Sequence, residues 1–327
     1  MKPTVCLQCH MDMVVQKDDD VSINFDTDPL VPRIVDGYLR ATGTSLGADN
    51  GIGIAACFAI LEDNSIKHGP LEVLVTRDEE TGMYGATDLE PGILKASYMI
   101  NVDSEEENAI CIGCAGGFTV SMTLPLSREP LPAATHLSLV LNNFVGGHTG
   151  ADIHLGRANP LHVLGRLLSA SPCECVAEVA VAAADAARFT AAMEGEFAHF
   201  HKEYQRIETK ASLTMTTTAA TQQPASAAAT RSFVGFLEVC PYAVQRYSPV
   251  EPDAVETSMT CAIASSDAQR VTFVASVRSS SNSQMDMMYN KLRCVCDMAG
   301  LALSPKKAPY PGWEPKPDSP LTRALIQ

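Results

Sequence analysis

With 327 residues, 46% of them hydrophobic, the chain is long enough for two packed domains on the usual scale of roughly 100–200 residues each, and too apolar for wholesale disorder. A formal net charge of -14 sets its field against nucleic acid and anionic membrane, so neither is an expected partner. There is no run of ~20 apolar residues, and no transmembrane helix is expected.

The opening stretch M-K-P-T-V-C-L-Q-C-H reads as a strand rather than a signal peptide, because polar Gln8 and His10 interrupt it. Eleven cysteines, an odd number without an export signal, fit a reduced cytosolic chain. The C-x-x-C pairs Cys6/Cys9 and Cys111/Cys114 have the spacing of a structural zinc site. Cys6 and Cys9, however, lie three apart on a strand and so on opposite faces, which makes them buried strand cysteines.

Residues 4–9, 71–76 and 98–102 are short apolar runs rich in β-formers and read as buried strands. Between the first two, residues 51–61 are apolar nearly all round after Asp49-Asn50, the pattern of a buried helix with an Asx-type start. Strand, helix, strand, loop, strand predicts a largely parallel α/β sheet. After C-A-G-G (114–117) the texture changes. Residues 118–124 and 136–143 predict antiparallel strands, G-G-H-T-G (146–150) a turn, and 157–169 and 185–205 helices. The low-complexity stretch 214–230 predicts a mobile loop or frayed connection. A strand at 271–278, a helix at 284–300 ending at Gly300, and a proline-dense irregular linker at 309–315 complete the series. The expected domains are a catalytic part at 1–115, an inserted α+β domain at 116–304, and a return to the first domain at 305–327.

Four clusters follow these elements: His10-Met11-Asp12, Asp49 in G-A-D-N-G, Glu79-Glu80, and Asp103 in N-V-D-S-E-E. Three follow strands and one opens a helix. Ligands of open α/β sheets bind at the carboxyl ends of the strands, so separate segments bring oxygen and imidazole donors to one edge. A lone loop carboxylate is ordinarily solvated; the combination is the donor set of a divalent metal such as zinc.

The ordered motifs H-M-D-M-V, T-S-L-G-A-D-N-G-I-G, T-R-D-E-E-T-G-M-Y-G-A, N-V-D-S-E-E, C-A-G-G and G-G-H-T-G resemble those of aminoacyl-histidine dipeptidases, with the late segment Y-P-G-W-E-P-K-P-D-S-P. These are cytosolic di-zinc peptidases of the carnosinase, aminoacylase and carboxypeptidase superfamily. The resemblance implies an α/β zinc-peptidase-like catalytic domain with an inserted lid that mediates a homodimer. It implies that Asp49 bridges two zinc ions, that His10 and Asp103 complete the first site, and that Glu80 belongs to the second. Mn2+ or Co2+ would accept the same ligands. It further implies Asp12 as an orienting acceptor, Glu79 as general base, His148 as the lid histidine that steadies an oxyanion, and Arg278 as ligand of a substrate carboxylate. His154 and His162 are read as structural.

Measured against that family, a leading helical segment, a strand-and-loop piece near Leu168–Val176 and the tail bearing the closing histidine of the second zinc are expected to be missing. The expected activity is metal-dependent hydrolysis of small Xaa-His, carnosine-like dipeptides in the cytoplasm. The alternatives are a catalytically impaired relative acting as a partner subunit, and a mononuclear aminoacylase-like hydrolase. A shortened catalytic domain should also expose apolar surface.

Overall fold

The computed structural model describes residues 2–104, 108–150, 152–169, 175–176 and 178–326. The chain divides into two compact units, Met1–Ile112 with Pro317–Gln327, and Gly113–Lys316.

At the centre of the first unit is a three-stranded parallel sheet in which Val5–His10 lies between Leu71–Thr76 and Tyr98–Asn101. The β-branched and aliphatic runs adopt these strands because the face bearing Val5, Leu7, Cys9, Val73, Val75 and Ile100 finds apolar neighbours, while Gln8, Glu72, Met99 and Asn101 stand on the other. Leu7 and Cys9 face the helix Ala48–Glu62 and pack against Cys57, with Val5, Ile54, Val73, Val75 and Ile100 around them. Cys6 is likewise fully buried, whereas Cys111 and Cys114 are exposed.

The helix corrects one expectation. Of its residues only Asn50, Gly53 and Cys57 are buried, while Ile52, Phe58 and Leu61 face solvent. It covers the sheet with a single face. Its start also differs from an Asx cap: Gly47 supplies a left-handed cap without a side-chain hydrogen bond, and Asp49 and Asn50 have non-helical backbone angles joined by a cis peptide. An antiparallel hairpin, Pro32–Val35 with Tyr38–Ala41, is an element the sequence reading lacks. Asp36 and Gly37 both carry positive φ, 52° and 82°, as its two-residue turn requires.

Among the described residues the second unit holds two antiparallel sheets and four long helices. In the larger sheet the order is Ala243–Tyr247, Val255–Ser266, Arg270–Ser279, Gly116–Pro125 and Ala302–Leu303. In the smaller it is Ser212–Thr218, Ala134–Asn142, Glu178–Ala182 and Cys175–Val176. The strands expected at 118–124 and 136–143 therefore belong to different sheets. Phe118, Val120, Met122 and Leu124 alternate into a core closed by Phe233 and Phe236 of helix Ala227–Val239, both rings lying against Phe273. Each such side chain contributes about 1.5–3 kcal/mol on burial. Helices Pro160–Ser169, Ala186–Tyr204 and Asn282–Ala299 complete the layers.

The loop expected at 214–230 is ordered structure. Its threonines form the strand Ser212–Thr218 paired with Ala134–Asn142, and Ser226 then caps helix Ala227–Val239 by accepting the Ala229 amide at 3.3 Å. The prolines at 309–315 also leave room for pairing: Lys307–Tyr310 adds to Gly116–Pro125, and Trp313 bridges to Cys114. Residues 170–174, where a piece is expected to be missing, and Glu105–Glu106 of the N-V-D-S-E-E cluster lie outside the described residues.

Candidate metal centre

Strand register explains how separate segments meet. His10 pairs with Thr76, so residues 77–80 continue past it on one side. On the other side Gln8 pairs with Asn101, which puts Asp103 level with His10. Both flanking strands run parallel to the first, and their carboxyl ends share one edge.

Asp49 arrives by a different route. The side-chain oxygen of Asn50 accepts the His10 amide at 3.3 Å, and its nitrogen donates to the Val102 carbonyl at 2.9 Å. Asn50 thus ties the ends of two strands to the beginning of the helix, and the preceding Asp49 is delivered beside His10. A Cβ on Gly53 would lie 2.6 Å from the Asn50 oxygen, so this close approach needs glycine. The role of Asn50 is one that sequence reasoning missed. Its signal, an asparagine followed by G-x-G, is indistinguishable on paper from an ordinary helix start.

Asp12 orders the opposite side. Its two carboxylate oxygens accept the backbone amides of Glu79 and Glu80, each at 3.1 Å. It thereby caps the short helix Glu79–Gly82, which follows a left-handed Asp78. These hydrogen bonds, together with the charge of His10, hold the Asp12 carboxyl below the usual carboxylate range although burial alone would raise it.

His10 is almost completely buried and its two nitrogens have distinct partners. Nδ1 lies 2.9 Å from the Asp12 carbonyl, which can only accept, so Nδ1 carries a proton. Nε2 lies 3.0 Å from an Asp49 oxygen and 3.6 Å from an Asp103 oxygen. A neutral imidazole would aim its lone pair at two anions, an arrangement that a cation at Nε2 relieves. Ligating histidines commonly donate the other ring N–H in this way.

Electrostatics point in the same direction. Burial pushes the Asp103 carboxyl up to about 6, aided by the negative charge and hydrogen bond of Asp49 and by Glu79, against the pull of His10. Burial and the charges of Asp49 and Glu79 raise Glu80 as well. Burial lowers the His10 pKa, but the Asp49 hydrogen bond and the charges of Asp103, Glu79 and Asp12 outweigh it, and the net shift is upward. Among the described residues no lysine or arginine pairs with Asp49, Glu79, Glu80 or Asp103. Among the described residues, His10 is the one basic group that these carboxylates meet. His10, Glu79 and Glu80 bring ligand atoms within 4.8 Å of one another, as do His10, Asp49 and Asp103. One imidazole nitrogen with carboxylate oxygens fits a divalent cation.

Two further sequence-derived residues lie together in the second unit. A Cβ on Gly150 would fall 3.3 Å from the His148 ring and 3.6 Å from Arg278 Cδ. Arg278 Nη1 donates a long hydrogen bond, 3.4 Å, to the Tyr310 hydroxyl, and its buried Nε has no partner. His154 is exposed, and His162 stacks on Tyr242 with ring centres 4.0 Å apart.

Residues 6–299 match the profile of Peptidase family M20/M25/M40. The chain belongs to that family of peptidases, and is by class a hydrolase. It is 37% identical over 342 aligned residues to the cytosol non-specific dipeptidase of Escherichia coli K12, covering 98% of this chain and 70% of that relative. The crystal structure of aminoacylhistidine dipeptidase from Vibrio alginolyticus superposes with a TM-score of 0.84 at 35% identity, again over 98% of this chain and 70% of the other. The aminopeptidase PepT of Bacillus cereus, at a TM-score of 0.50 and 15% identity over 98% of this chain and 62% of the other, shares the fold alone. No helix among the described residues is long and apolar enough to cross a membrane.

Proposed function

We propose that the chain is a divalent-metal dipeptidase whose substrates include carnosine-like Xaa-His dipeptides, acting in the cytoplasm. The observation that carries this reading is the convergence on His10 of two ligand sets, Asp49 with Asp103 and Glu79 with Glu80, each set within ligating reach of it. Support comes from the relatives, one named for dipeptides without specificity and one for aminoacylhistidine substrates.

Zinc is the proposed metal, with His10, Asp49 and Asp103 holding one ion and Asp49 and Glu80 contributing to a second. When bound, a divalent cation supplies Lewis acidity that polarises a carbonyl and acidifies water. Glu79 takes the proton from the attacking water and returns it to the leaving amine, the work of a general base and then acid. Asp12 fixes the direction of both glutamates by holding their backbone amides. His148 donates a hydrogen bond to the oxyanion that forms from the scissile carbonyl. Arg278 holds the substrate carboxylate through its guanidinium. The second unit serves as a lid and as the surface of a homodimer.

The deciding experiment compares zinc-loaded wild type with Glu79→Ala on β-alanyl-histidine and on dipeptides lacking histidine. Turnover should fall about 10²–10⁴-fold with zinc content kept. Zinc-loaded wild type that leaves every dipeptide intact would overturn the proposal. A second reading, a metal-binding relative with impaired turnover, draws on the single imidazole among five donors. It requires close to one tightly held ion per chain where the first requires two.

A further inference from the structure

We propose that Glu208, backed by the Asp152–Arg157 ion pair, is the positioning residue for His148. The inference rests on the reading of His148 as a substrate-facing group. His148 is exposed, on a glycine-rich loop between strand Ala134–Asn142 and helix Pro160–Ser169. A loop of that composition has little intrinsic preference for one conformation.

A single carboxylate ties the two roots of this loop. Glu208 Oε2 accepts the Val145 amide at 2.8 Å and Oε1 accepts the Ala158 amide at 2.9 Å. Glu208 is fully buried and, among the described residues, has no ion-pair partner. Removing a carboxylate from water costs several kcal/mol unless strong donors compensate, and these two amides are the donors present. Ala158 is itself buried, so its amide needs an internal acceptor, and a carboxylate that takes this amide and that of Val145 together joins the two ends of the loop.

The crown of the loop is fixed independently. Asp152 Oδ2 accepts the His148 amide at 2.9 Å and pairs with Arg157 Nη1 at 3.0 Å, while the same Nη1 donates to the Gly146 carbonyl at 2.7 Å. Gly147, at φ 153°, lies so close beneath this pair that a Cβ would run into the Arg157 guanidinium and come within 3.0 Å of Asp152. Root and crown are therefore both held by charged groups, on either side of the His148 side chain and at its own amide.

Glu208→Gln tests the proposal in the full chain, because it turns one acceptor into a donor facing an N–H. The readouts are hydrogen exchange at Val145 and Ala158 and the His148 ring signal, assigned by its loss in His148→Ala. We expect exchange at both amides about tenfold faster or more, and a broadened His148 signal with the His10 signal unchanged. In the zinc-loaded protein kcat should fall about 10–100-fold with KM nearly constant, the effect of a misplaced group. Combined with His148→Ala, the substitution should cost nothing further. An unaltered His148 signal in folded Glu208→Gln, or an equal loss in both backgrounds, would overturn the proposal. Absence of hydrolysis by wild type would instead overturn the dipeptidase reading, and the ring signal would still decide this one. If Glu208→Gln does not fold, Asp152→Asn carries the same measurements through the His148 amide.

Discussion

Asn50 and Gly53 illustrate how the proposed metal centre would depend on residues that hold no metal. The amide of Asn50 joins His10 and Val102, and Gly53 leaves the space in which it lies. Gly53→Ala would put a methyl group against a side chain that two hydrogen bonds prevent from moving. We predict a loss of zinc affinity of about 10–100-fold, the typical cost of disturbing an outer-shell partner, measured by competition with a chromogenic chelator. Asp12→Ala should produce a loss of similar size by freeing the Glu79 and Glu80 amides and removing the carboxylate 3.5 Å from His10 Nδ1. The orienting role of Asp12 is what the family resemblance implies, whereas the dependence on Asn50 and Gly53 is not legible in the sequence. G-A-D-N-G-I-G announces a carboxylate at a helix start, but which backbone groups an asparagine reaches is decided by the strands that surround it.

At the scale of elements, what the sequence discloses depends on how each segment is buried. The strands Val5–His10, Leu71–Thr76 and Tyr98–Asn101 are legible because short runs rich in aliphatic and β-branched residues favour strands, although only the face against the helix is apolar throughout, and Met99 and Asn101 are exposed. Their parallel order follows, and with it a common edge for the residues after them. The helix Ala48–Glu62 reads as fully buried because its apolar residues surround it, yet only one face meets the sheet. No sequence pattern states how many neighbours a helix has. The segment 214–230 misleads through composition: repeated threonine and alanine resemble a linker, but threonine is a strand former and alanine a helix former, with Ser226 marking the boundary. Ser226→Ala should destabilise the second unit by about 1 kcal/mol in denaturant unfolding, the usual cost of losing a helix cap. The Asp36-Gly37 turn, by contrast, carries a plain hairpin signal in its residues.

His162 connects a single group to the stability of the whole second unit. Burial pushes its pKa down to about 4, against a smaller upward pull from the Leu237 backbone. The unfolded chain binds a proton near pH 6.5 and the folded chain only near 4. Stability from the neutral ring is complete above pH 6.5 and is lost as pH falls towards 4, by up to ~3 kcal/mol. Urea unfolding at pH 7 and pH 4.5 should show a loss in wild type larger than in His162→Phe; equal losses would remove this account.

The molecule as a whole joins an α/β unit carrying an anionic cluster with an α+β unit carrying His148 and Arg278, in a chain that spans about 70% of two dipeptidase relatives. The claim on which the rest depends is that one divalent ion sits against His10 Nε2 among the carboxylates. Anomalous diffraction at the zinc edge from zinc-loaded crystals addresses it directly. The account predicts a peak about 2.0–2.2 Å from His10 Nε2 and from oxygens of Asp49 and Asp103. A fully loaded crystal whose only zinc peaks lie elsewhere, at Cys111 and Cys114 for example, would contradict it.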